Sequence, residues 1–349
     1  MKLNDDPNRG MPASTKVALG RTRIEVSRIG LGTSALGGEF GAVSEADAVA
    51  TVHAALAAGI NLFDTAPAYG ATASESRLGL ALAGFDRSSF VLSTKAGKTL
   101  DDAGRAVFDY SEDALRRSVD LSAERLGVDV IDIVHLHDFD YASRRHVEAA
   151  LTTGFETLRS LQQEGRIRAV GAGIYPLDLW KRVLCEVDPD VILLHNHHTL
   201  CDVRAYELLP LTEELGTGVI NAAPFASGLL SGREAPEWHP AGKAERALFA
   251  RAAALAGVRG AQLAPLALSF SASEPRLPIT LFSCSSPQEL QANLDWVREV
   301  PDRQLIAEVQ QLLESVMNRQ WDYGGSLLPP YGGTAISAAP STPSKGSPV

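Results

Sequence analysis

Cysteine is scarce: only Cys185, Cys201 and Cys284 occur in 349 residues. Their number is odd and they lie far apart, with neither metal-ligand spacing nor a disulfide framework, which fits a reducing, cytoplasmic compartment. No apolar run reaches the roughly 18 residues that a membrane span needs. The opening MKLNDDPNRGMPASTK has no apolar stretch of the kind a secretory signal carries. An excess of positive charge is also missing. The chain has 32 basic and 42 acidic residues, a formal charge of -10, which disfavours nucleic acid and anionic membranes as main partners. A dinucleotide fingerprint is absent too. The early glycines read GLGTSALGG, from Gly30 to Gly38, and not GxGxxG running straight into a helix, which argues against an open doubly wound sheet.

What is present reads as an ordinary globular protein, 45% hydrophobic and 21% charged. Residues 1–15 are polar and read as a flexible arm, and 329–349 as a flexible tail rich in Pro, Ser, Gly and Ala. Between them, 16–328 reads as one domain. It opens with a short hairpin around Gly20 and Arg21. Short apolar runs then alternate with amphipathic stretches: Ile29–Gly32, Ile60–Asp64, Phe90–Lys95, Ile131–His137, Ile167–Gly171, Val191–Leu194, Gly218–Ala222 and Ile279–Ser283. Eight such runs with helices between them predict an α/β fold, a closed (β/α)₈ TIM barrel. Ser44 predicts the cap of a helix through Gly59, and Ser111 opens one ended by Gly127. Glu148–Glu164 and Pro287–Val297 predict two more. Gly228–Glu245 has no clean period and predicts a long loop on the C-terminal face, where barrel enzymes build their pockets.

Barrel chemistry sits at the C-terminal ends of strands. Asp64 ends the second run and Tyr69 follows it; Lys95 ends the third; His135 and His137 share one side of the fourth. These types make chemical sense together. Hydride transfer to or from a carbon needs a proton donor or base on its oxygen, and an unperturbed tyrosine is poorly matched to that at neutral pH. An ammonium at Lys95, held by Asp64, predicts a lowered Tyr69 pKa, while His137 holds the reacting oxygen.

The segments IGLGTSALGG, GINLFDTAPAYG, ESRLGLAL, FVLSTKAG, DIVHLHD and GRIRAVG resemble the aldo-keto reductase family over roughly Val17 to Gln320. The resemblance implies a barrel that binds a nicotinamide cofactor and a catalytic tetrad at Asp64, Tyr69, Lys95 and His137. The loop APEWHPA, the stretch SCSSPQELQANL and QWDYG resemble the L-galactose dehydrogenase and aldose (L-fucose, D-threo-aldose) 1-dehydrogenase branch. That branch implies oxidation at C1 of a pyranose, giving a lactone.

Under the resemblance, cofactor contacts fall on Gly32, Thr33, Asp64, Asn196, Ala223, Pro224, Phe225, Ser227, Leu229, Ser283, Ser285, Ser286, Glu289 and Asn293. Substrate contacts fall on Tyr69, His137, His197, Trp238 and Trp321, with His239, Asp322 and Tyr323 as further candidates to close the pocket. The chain departs from the family where Gly173 and Ile174 replace a Ser-Asn pair, which leaves Asn196 to grip the carboxamide. The stretch after the eighth run lacks Lys and Arg and carries Glu289, so NAD is expected over NADP. No metal is expected: His195, His197 and His198 match no usual site. A monomer and a homodimer both fit. An NADPH-dependent aldehyde or ketone reductase, a pyridoxal-type cyclic alcohol dehydrogenase, a Schiff-base enzyme at Lys95 and a non-enzymatic nicotinamide-binding scaffold are the rival readings.

Overall fold

A computed structural model describes residues 12–322. Most of the N-terminal arm, the 329–349 tail and Tyr323 lie outside the described residues.

Eight parallel strands close into a barrel: β1 (Ile29–Gly32), β2 (Leu62–Asp64), β3 (Val91–Ala96), β4 (Ile131–His137), β5 (Ile167–Gly173), β6 (Val191–His195), β7 (Gly218–Ala222) and β8 (Thr280–Ser283). Each pairs with its sequence neighbour, and β8 returns to β1 through the register Thr280↔Ile29 to Ser283↔Gly32. Strands β3 and β4 are buried on both faces, which is why they read as continuous apolar runs and not as alternating ones. The observed strands differ from the expected ones at their ends. Ile60 and Asn61 precede β2, while β5 and β6 run on to Gly173 and His195.

The expected hairpin forms from Lys16–Ala18 and Glu25–Ser27. Its Leu19, Ile24 and Val26 join Leu62, Val91, Ile133, Val191, Leu193, Ile220 and Leu281 in one apolar cluster. The hairpin therefore plugs the N-terminal mouth and leaves only the C-terminal mouth for chemistry. The last residues of the expected arm are not loose: Ile29 donates from its N–H to Ala13 O at 3.2 Å, and Ala13 is buried.

The outer helices are α1 (Glu45–Ala57), α2 (Ala73–Leu82), α3 (Glu112–Leu126), α4 (Phe155–Gln163), α5 (Leu177–Glu186), α6 (Leu209–Leu215), α7 (Lys243–Val258), α8 (Leu263–Ala272), α9 (Pro287–Val297) and α10 (Arg303–Leu312). Ser44 caps α1 by accepting from Asp47 N–H at 3.0 Å, and Gly127 ends α3 in the left-handed region. Ser111 stands at the start of α3, but its side chain makes no capping bond. The stretch leading into α4 contains a π-turn, Ala150–Gly154. A second hairpin, Lys98–Leu100 with Ala106–Phe108, follows β3. It escaped the sequence reading because three-residue strands carry no legible period.

Gly171, on β5, is a site of forced smallness. A Cβ there would lie 2.3 Å from His135 Nδ1 and 2.8 Å from Val191 O. Because His135 is fully buried inside the barrel, neither neighbour can yield cheaply. Gly171→Ala is expected to cost about 1–3 kcal/mol, read as a lower urea midpoint. In a double-mutant cycle with His135→Ala that penalty should shrink. Equal penalties in both backgrounds would show that the His135 contact is not the cause.

Candidate active site

Asp64, Lys95 and His137 stand at or next to the C-terminal ends of the adjacent strands β2, β3 and β4, as the sequence predicted. Lys95 Nζ donates to Asp64 Oδ1 at 2.6 Å and to Thr65 O at 2.7 Å. Ser93 Oγ donates to Asp64 Oδ2 at 2.6 Å. Lys95 and Asp64 are both buried, so this is a charge-assisted bond shielded from water. The Lys95 ammonium lies 4.9 Å from the centre of the Tyr69 ring, and the Tyr69 and His137 rings meet edge-on at 6.3 Å. All four residues of the expected tetrad thus come together.

Tyr69 is placed by backbone contact. A Cβ on Gly70 would fall 2.1 Å from Gly37 O, so the loop after β2 can lie against the one-turn helix Ser34–Gly37 only because both residues are glycine. Gly70 N–H also donates to Glu39 Oε1 at 3.0 Å. The Tyr69 hydroxyl is not lowered in pKa as expected. Burial, followed by the negative charges of Asp64, Asp138 and Glu39, holds it well above its ordinary value. The reason is geometric: the Lys95 charge is committed to Asp64 and lies over the ring face. Burial holds His137 at about 3, a neutral imidazole.

The structure adds a second ion pair that sequence reasoning missed. Lys98 Nζ donates to Asp138 Oδ2 at 2.6 Å. The same ammonium is 4.6 Å from the Tyr141 ring centre and 5.9 Å from that of Phe108. Asp138 has a left-handed backbone (φ 54°), which aims it back beside His137. Tyr110 OH donates to His137 O at 2.6 Å and fixes that turn. Glu39 and Asp140 feel the Lys98 charge as well, yet burial lifts both carboxyls to about 7. The signal is present in STKAGK and LHD, where Lys98 and Asp138 each lie just beyond a strand end.

Among the expected substrate contacts, His197 is fully buried and packs edge-on against Tyr175 at 5.1 Å. His195, one strand-face apart from it, shares the electrostatic surroundings of Asp138, Lys98 and Lys95. The structure therefore brings His195 toward the tetrad and sets His197 behind it. Trp238 lies 6.1 Å from Phe40, ring centre to ring centre, so the long loop after β7 reaches the loop after β1. Arg246 holds that loop by donating to the carbonyls of Ala235, Pro236, His239 and Ala241. Trp321 packs against His239 and accepts the Arg319 guanidinium over its ring.

The expected cofactor residues divide into two sets. In the loop after β7, Ala223, Ala226, Ser227 and Gly228 all have positive φ, and the turn closes on itself, the N–H groups of Ala226, Gly228 and Leu229 donating to Ala223 O, Phe225 O and Ala226 O at 2.9, 3.0 and 3.2 Å. Asn196 Nδ2 donates to Ser227 Oγ at 2.9 Å and ties that loop to the one after β6. Pro224, Phe225 and Leu229 belong to the same wall, and Asn293 is buried on α9. This set is where the family resemblance expects a nicotinamide dinucleotide. The hydroxyls of the other set are engaged within the protein. Thr33 Oγ1 donates to Asp64 O at 3.0 Å. Ser283 Oγ accepts from Ala35 N–H at 2.9 Å, and Ser285 N–H and Oγ both donate to Glu289 Oε2. Ser286 caps α9. Gly32 ends β1 beside Ser283. The sequence placed no cation here, but Arg233, from the long loop, lies 3.3 Å from Glu289. No cluster of three or more His, Cys, Asp or Glu that could hold a metal occurs among the described residues. No single helix there is long and apolar enough to cross a membrane.

Comparison with known proteins agrees with this geometry. A profile described as "Aldo/keto reductase family" matches residues 28–314. L-galactose dehydrogenase of Arabidopsis thaliana is 38% identical over 88% of this chain and 97% of its own length. Pyridoxal 4-dehydrogenase of Microbacterium luteolum is 34% identical over 84% and 96%. Among solved structures, an aldo-keto reductase from Bacillus halodurans in its holo form superposes with a TM-score of 0.70 at 27% identity, covering 88% of this chain and 98% of that one.

The buried imidazoles make stability depend on pH in a definite direction. Burial holds His135, His195, His198 and His239 at about 4, and His137 and His197 at about 3. In the unfolded chain each has its ordinary value near 6.5. Their contribution is complete above about pH 6.5 and is lost as pH falls toward the folded values, by up to about 1.4 kcal/mol per pH unit for each group. Glu39 and Asp140, raised to about 7, act in the opposite sense over the same window; two such groups do not cancel six. The urea midpoint is expected to fall steeply between about pH 6.5 and 4. A flat midpoint across that range would mean that these imidazoles are not neutral in the folded protein.

Proposed function

The chain belongs to the aldo/keto reductase family and is an NAD(P)-dependent oxidoreductase of sugar or aldehyde substrates; from that premise we propose that it oxidises the C1 hydroxyl of a pyranose aldose of the L-galactose or L-fucose type, giving the lactone. The observation that carries the substrate class is the polar surround of the tetrad. Glu39, Asp138, Asp140 and Lys98 interact with one another beside Tyr69 and His137. Glu39 Oε2 and Asp140 Oδ1 are buried without a hydrogen-bond partner; an apolar aldehyde leaves them so at a cost, whereas a ring of hydroxyls satisfies them. The similarity to L-galactose dehydrogenase supports the same reading.

When bound, the nicotinamide would supply the hydride acceptor, and the loops after β6 and β7, with Asn196 and Ser227, would hold it. The rest falls to the chain. Neutral His137 donates to the reacting oxygen without adding charge. Tyr69, once its own proton has passed to solvent, takes the proton of the C1 hydroxyl as a phenolate. Lys95, kept charged beside Asp64, stabilises the phenolate as it forms, from 4.9 Å over its ring. Because the resting phenol is held well above its ordinary value, the phenolate fraction grows only toward alkaline pH.

We further propose NAD as the cofactor. Glu289 takes bonds from Ser285 and pairs with Arg233, so an added 2′-phosphate meets a carboxylate and a cation already engaged by it.

Initial rates with L-galactose, L-fucose, D-arabinose, L-glucose and pyridoxal, each with NAD+ and NADP+, test the reading. NAD+-dependent oxidation of one aldose should rise with pH from about 7 to 10 and fall by about 10² to 10⁴-fold in Tyr69→Phe. Turnover confined to pyridoxal, or to simple aldehydes with NADPH, would overturn the aldose assignment. Glu289→Arg should raise the NADP+/NAD+ ratio of kcat/KM at least about tenfold, a change worth roughly 1.4 kcal/mol. An unchanged ratio would remove Glu289 from cofactor choice.

A further inference from the structure

The Lys98–Asp138 pair has no part in the proton transfer described above, yet it is built into the same mouth. Lys98 is the first residue of the short hairpin after β3, and its ammonium is buried with Asp138 Oδ2 at 2.6 Å between the rings of Tyr141 and Phe108. Asp138 leaves β4 in a left-handed turn, and Asp138 N–H donates to Gly173 O at 3.0 Å, locking it. A left-handed aspartate costs backbone strain, which a protein retains where a side chain must point one way. Its second oxygen, Oδ1, stands 3.6 Å from His137 Nε2. That separation is too long for a hydrogen bond and leaves the oxygen directed at the region where His137 meets the reacting oxygen.

We propose that Asp138, oriented by Lys98, is a specificity-determining residue that accepts a hydrogen bond from the hydroxyl on the carbon next to the reacting carbon. The argument is one of adjacency. A substrate oxygen bonded to His137 Nε2 sits about 3 Å from that nitrogen. The oxygen on the neighbouring carbon is one hydrogen-bond length further on, within reach of a carboxylate oxygen 3.6 Å from the same nitrogen. Lys98 keeps Asp138 ionised despite its burial, because the lysine's charge and the hydrogen bond it donates oppose the desolvation that would protonate the carboxyl. An ionised carboxylate is an obligate acceptor, so the site selects a hydroxyl at that carbon and is penalised by a C–H there. The protein thereby distinguishes α-hydroxy carbonyl compounds and their hydrated or cyclic forms from simple aldehydes.

The inference deepens the aldose proposal but is tested without it. The probe is the reduction of glyceraldehyde against propanal with NADH, a pair that differs at the α-carbon hydroxyl and the terminal one. Lactaldehyde, which lacks only the terminal hydroxyl, isolates the α-position. Wild-type enzyme should favour lactaldehyde over propanal in kcat/KM by at least about 10²-fold, in line with sites built to bond a hydroxyl. Asp138→Asn and Lys98→Met should each reduce that ratio at least tenfold, and Asp138→Glu should restore part of it. Equal losses on both aldehydes would make Asp138 a support for His137 only and overturn the proposal. If the variants fail to fold, the wild-type ratio still decides: a ratio near one overturns it. Preference for lactaldehyde in an enzyme that oxidises no aldose would sink the aldose assignment and leave Asp138 in its role.

Discussion

The site depends on a cation placed where water does not reach. Lys95 is buried at the end of β3, and desolvating an ammonium costs several kcal/mol unless acceptors surround it. Asp64 and the Thr65 carbonyl provide them at 2.6 and 2.7 Å, and the face of Tyr69 provides a third, weaker attraction. Each acceptor needs its own support. Ser93 bonds the far oxygen of Asp64. Thr33, Thr65 and Ser74 close a buried hydroxyl network behind it, with Thr33 Oγ1 and Ser74 Oγ at 2.7 Å. The register Leu31↔Phe63 and Asp64↔Ser93 puts these residues side by side. Removing either partner of such a pair strands the other, at a cost of about 3–5 kcal/mol, so the ion pair constrains the barrel as strongly as the barrel positions the pair.

The parts of this arrangement that follow a local rule were legible. Runs of buried residues gave the eight strands because parallel strands have both faces covered. Ser44 and Pro287 marked helix starts because capping is a matter of a few residues. Asp64, Lys95 and His137 were found because strand ends are countable. What escaped is set by three-dimensional adjacency. Arg233 meets Glu289 across 56 positions, and Arg246 gathers four carbonyls of a loop that has no period of its own. His195 and His197 differ by two residues, and strand alternation would put them on one face. The strand ends at His195 and Asn196 turns left-handed (φ 62°), which sends His197 into the core instead.

That turn belongs to a wider pattern. Among the described non-glycine residues with positive φ, Ala71, Thr72, Asp138, Asn196, Ala223, Ala226 and Ser227 all lie in loops that follow barrel strands at the C-terminal mouth. Such conformations each cost on the order of 1–3 kcal/mol where the residue is not glycine. The N-terminal mouth, filled by Leu19, Ile24 and Val26, carries no comparable cluster among them. The apolar plug stabilises one end, and the strain accumulates at the other, where side chains must be aimed and not merely packed.

The charges at that mouth also decide which proton moves. Two lysines, Lys95 and Lys98, face Asp64, Asp138, Asp140 and Glu39, and both ammonium groups are engaged by carboxylates. Burial, then the carboxylate field, raises the Tyr69 phenol, and burial keeps His137 neutral. A resting site of this kind holds its proton on the phenol and has none to give from the imidazole. In the reducing direction Tyr69 therefore has its proton in place, though the raised pKa makes it a weak acid that needs the Lys95 charge to release it. In the oxidising direction the phenol must first lose its proton, and Lys95 is the group that lowers the cost of doing so once substrate and cofactor have displaced water from the mouth. The same two ion pairs thus divide the labour. On the proposed reading, Lys95–Asp64 acts on the reacting oxygen through Tyr69 and Lys98–Asp138 acts on what stands beside it, so that rate and selectivity reside in separate pairs of one strand-end array.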